Sequence, residues 1–121
     1  MKKEFLRRID NPVVRKRFRI LLNNGFSLEE DKIREFLSGD LQSDYIQVFP
    51  TVSERKVLEN MSLDFSGVEN LFLLVEGNSG LHWKASEIVK AITERSDASV
   101  IWNFRPSNQN DKVLKVTALS Y

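Results

Sequence analysis

The residues best suited to chemistry are three consecutive carboxylates, Glu29, Glu30 and Asp31, and a single histidine, His82. Three adjacent carboxylates can hold a hard cation. At the start of a helix, however, acidic side chains also stabilise the positive end of the helix dipole, by about 0.3–1 kcal/mol each, and we favour this interpretation. The residues around His82 do not have the pattern of a catalytic triad, and we expect a solvated or capping histidine. The sequence therefore predicts neither a catalytic residue nor a bound metal.

Two glycines, Gly77 and Gly80, stand just before a predicted helix. Such a place could hold a phosphate on the helix N-terminus. A strand-to-helix turn in which glycine accommodates a positive φ is the favoured alternative. The five glycines of the chain form neither G-x-x-x-x-G-K-[ST] nor G-x-G-x-x-G, the patterns of phosphate-binding loops. We therefore predict no cofactor.

Composition excludes several classes of protein. A chain of 121 residues suggests one domain, and 41% hydrophobic with 29% charged residues is close to a soluble globular average. The absence of cysteine excludes thiolate catalysis, zinc ribbons, iron–sulfur sites and disulfide frameworks, and favours a cytoplasmic location. No apolar run approaches the roughly 20 residues that span a bilayer, and the basic N-terminus lacks the apolar core of a secretory signal.

Charge divides the chain into a basic arm and an acidic body. Residues 1–25 carry eight basic and two acidic side chains, whereas residues 26–121 have a net charge of −5. We therefore predict a basic N-terminal helical segment, 1–25, followed by one compact α/β domain, 26–121. Arg15, Arg17 and Arg19 could contact nucleic acid or an anionic surface. A solvated cationic face, or one docked on the acidic body, is the favoured alternative.

Apolar periodicity and helix-start signals predict the order α-α-β-α-β-α-β-β. Asp10-Asn11-Pro12 begins a helix, with either Asp10 or Asn11 as its cap, and Ser53 begins another. Ser27 is expected to cap a further helix, and a short helix could precede Asp10. The run at 70–75 is apolar on both faces and predicts an internal strand. The last two strands are close enough in sequence to form a hairpin. We predict a two-layer α/β sandwich with a mixed four-stranded sheet.

This order resembles the C-terminal domain of the FtsZ/tubulin family, best over residues 54–121. The resemblance is carried by a glycine turn before an apolar strand, a glycine-containing turn into the next helix, the strand after that helix and a closing strand. These are residues 64–75, 76–81, 98–103 and 111–121. It implies an FtsZ-like fold, while the nucleotide-binding domain of the family has no counterpart in this sequence.

The resemblance also implies a docking loop. In FtsZ, an Asn-x-Asp-Phe-Ala-Asp stretch enters the nucleotide site of the next subunit, where its carboxylates help to activate water. Here it corresponds to residues Ser27, Leu28, Glu29, Glu30, Asp31 and Lys32. A cation stands where the family has its second aspartate, so we expect no GTPase activity, although a bulge could bring Asp31 into that place.

The expected function is that of a non-catalytic interaction module linked to cell division. It would dock on or cap an FtsZ-like polymer, or associate with itself, through the residues aligned with the docking loop. Arg15, Arg17 and Arg19 would add electrostatic support. Trp83, in the polar first turn of a helix, is expected to be exposed and to serve as an interface anchor. The alternative is binding of nucleic acid or an anionic surface through the basic N-terminal helix.

Overall fold

The computed structural model describes residues 2–23, 29–39, 41–107 and 112–120. Three helices come first, followed by strands and helices in alternation and a last pair of strands. Two short 3₁₀ turns, at Phe65–Gly67 and Ser79–Leu81, flank the second strand. The elements are α1 (Lys2–Arg8), α2 (Pro12–Asn23), α3 (Glu30–Ser38), β1 (Gln42–Val48), α4 (Glu54–Asn60), β2 (Asn70–Gly77), α5 (His82–Arg95), β3 (Ser99–Pro106) and β4 (Leu114–Ser120). The predicted order is confirmed, including the short first helix.

Local capping signals begin two of the helices as predicted. The Asn11 side-chain oxygen accepts hydrogen bonds from the backbone N–H groups of Val13 (3.0 Å) and Val14 (3.4 Å), with Pro12 as the first residue of α2. The Ser53 hydroxyl accepts from the N–H of Lys56 at 3.2 Å and caps α4. The predicted cap at Ser27 lies outside the described residues.

The sheet is mixed and has the order β1-β4-β2-β3. Strand β4 runs antiparallel to both β1 and β2, while β2 and β3 are parallel. The internal position predicted for the strand at 70–75 is confirmed. The predicted hairpin between the last two strands is wrong, because β4 pairs with β1 and β2. Six of the seven β4 residues are buried, so this strand needs a neighbour on each side.

Helices cover both faces of the sheet, so the molecule has three layers and the predicted two-layer arrangement is wrong. Helices α4 and α5 pack on one face against Leu71, Leu73 and Val75. Helices α1, α2 and α3 pack on the other face, where the core contains Phe72 and Leu74 of the same strand. Because β2 is apolar on both faces, each face requires a cover, and the N-terminal helices provide the second one.

The second core is built from aromatic rings of three helices and the sheet. The Phe18 ring of α2 lies 5.9 Å from the Phe5 ring of α1 and 5.2 Å from the Phe72 ring of β2, measured between centroids. Phe5 also contacts Phe36 of α3, with 6.2 Å between centroids. All four rings are fully buried or nearly so. The basic N-terminal residues thus carry apolar side chains that share one core with the sheet.

A partly buried ion pair joins α4 to α5. The ammonium group of Lys84, which is buried, donates a hydrogen bond of 2.7 Å to Oε1 of Glu54, whose side chain is 34% exposed. The hydrogen bond from Lys84 is the main cause that lowers the pKa of Glu54 below its ordinary value of 4.5. A lowered pKa in the folded state means that the pair stabilises the fold above about pH 4.5 and that this stability is lost as the pH falls further.

We therefore expect Glu54→Gln to lower the free energy of unfolding at pH 7 by about 1–2 kcal/mol, because Lys84 keeps its charge in a buried place without a counter-ion. Water reaching the exposed part of Glu54 keeps the loss below that of a fully buried pair. Urea denaturation at a series of pH values should show that the difference in free energy of unfolding between the variant and the natural chain decreases below pH 4.5. Glu59→Gln, which breaks the exposed Arg55–Glu59 pair, is the control and should change stability by less than about 0.5 kcal/mol. A difference in stability that stays constant with pH would contradict a stabilising ion pair between Lys84 and Glu54.

Candidate interaction surface

The predicted docking loop lies at the start of α3. Ser27 and Leu28 are outside the described residues, and Lys32 belongs to the helix. Glu29 precedes the first turn without a side-chain capping bond, and Glu30 and Asp31 lie in that turn. The three carboxylates are exposed.

Glu30 and His82 each contact groups of their own chain. Glu30 makes an exposed ion pair with Arg34 at 3.9 Å, one helical turn along. Within the described residues, no three His, Asp or Glu side chains are grouped so that they could hold a metal. The exposed His82 ring packs on Trp102 and Phe104 of β3, with centroid distances of 5.8 and 5.0 Å.

Two of the three arginines selected from the sequence contact their own chain. The guanidinium of Arg15 donates to the carbonyl of Ile9 at 2.7 and 3.0 Å and so holds the segment that joins α1 to α2. The guanidinium of Arg17 donates to Glu76 at 3.4 Å and lies 5.7 Å from the centre of the Tyr45 ring. Arg19 is exposed. Of the three arginines, Arg17 thus docks on the acidic body of its own chain, and its acceptor there is a single buried glutamate.

That glutamate, Glu76, is a buried charged residue that the sequence did not single out. Glu76 is 3% exposed, and its Oε2 atom accepts from Arg17 of α2 at 3.4 Å and from Arg105 of β3 at 3.5 Å. Among the described residues, its other oxygen, Oε1, has no hydrogen-bond partner. Its position directly after the apolar run of β2 could have indicated a buried charge. The sequence instead predicted that a loop begins at this residue.

Gly77, the next residue, lies inside β2 and its φ is not positive. A Cβ atom at this position would stand 2.5 Å from Cδ2 of Leu114 in β4. A larger residue here would require the Leu114 side chain to move, and the positive φ expected from the sequence is wrong.

A cationic groove lies between α1 and α2, and we call it the α1–α2 groove. It has a volume of about 490 Å³ and is lined by Lys3, Leu6 and Arg7 of α1 and by Arg15 and Arg19 of α2. Each helix contributes two cations spaced four residues apart, a spacing that puts them on one helix face. That spacing is visible in the sequence, but the packing that turns the two faces toward one groove is not.

Two aromatic side chains are exposed at one end of the sheet. Trp83 is 59% exposed, which confirms the sequence prediction of its exposure, and Phe49 is 61% exposed. Both β1 and β2 are antiparallel to β4, so their carboxyl ends lie at the same edge. Phe49 directly follows β1, and Trp83 belongs to α5, which begins shortly after β2. Trp102 of β3 is half-buried and packs against the core.

Comparison with known proteins assigns the fold. No protein-family model matches the sequence, and no curated protein matches it. Among solved structures, the chain is similar to CetZ1 from Haloferax volcanii, determined as a GDP-bound monomer, with a TM-score of 0.51 and 14% sequence identity. The match covers 77% of this chain and 33% of CetZ1. The chain therefore has an α/β fold of the FtsZ/tubulin type and spans about a third of the length of CetZ1.

In the parts of the chain that the structure describes, every helix is too short or too polar to cross a bilayer.

Proposed function

We propose that this chain is a non-catalytic interaction module, equivalent to the C-terminal domain of the FtsZ/tubulin family, that docks on an FtsZ-like polymer and caps it. The observation that supports the proposal is the FtsZ/tubulin-type fold of a sequence in which no glycine-rich phosphate-binding pattern occurs. A module of this kind would use the nucleotide site of its partner. It could join the end of a polymer without extending it.

The acidic start of α3 is the proposed contact. Glu29, Glu30 and Asp31 are exposed, so a partner can reach them. They align with the family's docking loop, which the resemblance places in the nucleotide site of the next subunit. Lys32 occupies the place of the second catalytic aspartate, and a cation there cannot polarise water as a carboxylate does. The contact would therefore block a polymer end without promoting GTP hydrolysis.

The test is the effect of the chain on FtsZ assembly with GTP. Excess chain should lower both the amount of FtsZ that sediments and the rate of GTP turnover. The triple variant Glu29→Gln, Glu30→Gln, Asp31→Asn should lose this effect. A matched control, Glu69→Gln, Glu87→Gln, Glu94→Gln, removes the same charge from positions away from α3 and should inhibit as the natural chain does. Unchanged sedimentation and turnover with the natural chain would exclude capping, and light scattering on the chain alone would then test self-association.

A further inference from the structure

We propose that the α1–α2 groove binds an acidic, leucine-containing peptide segment of a partner protein. The inference deepens the proposed function, because it adds a second contact through which an interaction module would hold its partner. It depends on different residues from the acidic start of α3, so the two proposals can fail separately.

The charge of the groove is the first argument. Lys3, Arg7 and Arg19 are exposed, and within the described residues none of them has an ion-pair or hydrogen-bond partner. Arg15 adds a fourth cation while donating to carbonyl oxygens of its own chain. Like charges held this close repel one another, so an anion that enters the groove relieves the repulsion. Arginine also presents a planar fork of donors that matches a carboxylate in a bidentate geometry.

The acid on α1, Glu4, is not among the residues that line the groove. It lines a neighbouring depression with Arg8 and Leu37, and Arg7 lines both. Arg8 contacts α3, because its guanidinium donates to the carbonyls of Leu37 (2.8 Å) and Gly39 (3.0 Å) at the end of that helix.

The lining of the groove favours a peptide over the other polyanions. The groove has a volume of about 490 Å³ and is open to solvent between the two helices. Among the described residues, the lining contains no aromatic ring on which an unpaired base could stack. Leu6 lies among the cations and offers apolar contact. A segment that alternates carboxylates with a leucine would satisfy both parts of this lining.

Binding of a short labelled peptide of glutamate and leucine residues, measured by fluorescence anisotropy, tests the proposal on the full chain. The same peptide with glutamine in place of glutamate should not bind. The triple variant Lys3→Gln, Arg7→Gln, Arg19→Gln should weaken binding at least about tenfold, and affinity should fall as salt is added. Arg15 is left in place because it holds the segment between α1 and α2.

The matched control Lys16→Gln, Lys56→Gln, Lys90→Gln removes three exposed cations outside the groove and should bind as the natural chain does. Circular dichroism should show that both triple variants keep the fold. Equal losses in the two variants would show a general charge effect and overturn the proposal. Tighter, groove-dependent binding of a single-stranded oligonucleotide or of phosphatidylserine vesicles would overturn it in favour of nucleic acid or a membrane. If the peptide binds but FtsZ assembly is unaffected, the groove assignment stands and the capping function fails.

Discussion

Replacing Phe18 by alanine should lower the free energy of unfolding by about 3–5 kcal/mol. Phe18 is fully buried in α2 and packs edge-on or tilted against the rings of Phe5 and Phe72. Removing its ring leaves a cavity between the N-terminal helices and the sheet, which the surrounding side chains can fill only in part. A loss of this size is a large fraction of the stability of a domain of this length.

Urea denaturation followed by far-UV circular dichroism measures the change. Phe49→Ala is the matched control, since it removes the same side chain from an exposed position and should change stability by less than about 0.5 kcal/mol. A single cooperative transition with a lowered midpoint is expected. A Phe18→Ala variant as stable as the natural chain, or one in which α1 and α2 unfold in a separate transition, would show that the basic helices are not part of the cooperative core.

Because Phe5 and Phe18 belong to the core, deletion of the basic segment is not a clean test of binding. Deleting it removes Phe5 and Phe18 from the core together with the cations. Loss of binding after such a deletion would therefore report unfolding as readily as a lost contact. Substitutions confined to exposed cations, such as Lys3, Arg7 and Arg19, separate the two effects.

Replacing Asp44 by alanine should cost about 2–4 kcal/mol, the second large effect. Asp44 lies in β1 and is 7% exposed. Its Oδ2 atom accepts from the backbone N–H groups of Ser62 (2.7 Å) and Leu63 (3.4 Å), and its Oδ1 atom accepts from that of Tyr45 (2.8 Å). The carboxylate thus holds the segment that follows α4 against the edge strand. Without it, these N–H groups lose their acceptor, and that of the buried Leu63 is left in a place that water reaches poorly.

Denaturation in urea gives the size of the effect, and native-state hydrogen exchange gives its location. The amides of Ser62 and Leu63 should exchange faster in Asp44→Ala. Asp44→Asn keeps one acceptor oxygen and should be intermediate in stability. Asp97→Ala, at an exposed position, is the control and should fall within about 0.5 kcal/mol of the natural chain. Unchanged protection of the two amides in Asp44→Ala would contradict the role assigned to this carboxylate.

What the sequence determined by itself is local. The caps at Asn11 and Ser53 depend on a side chain and backbone groups two or three residues away, so residue type and position suffice to predict them. The spacing of Ala85, Ile88, Val89 and Ile92 follows the helical period, and all four are buried in α5. The two apolar faces of β2 likewise predicted an internal strand. The order of elements rests on such signals, whereas the FtsZ-like fold class was implied by the resemblance to that family.

Only the tertiary structure decided which elements meet. Periodicity shows that a face will be buried, but it does not show what covers it, because the partner can come from any other part of the chain. For this reason the third layer and the place of β4 between β1 and β2 could not be predicted from spacing. The partners of Arg17 and Asp44 lie 59 and 18 residues away along the chain, beyond the reach of any local pattern. The α1–α2 groove exists only because apolar contacts in the core turn two cationic helix faces toward each other.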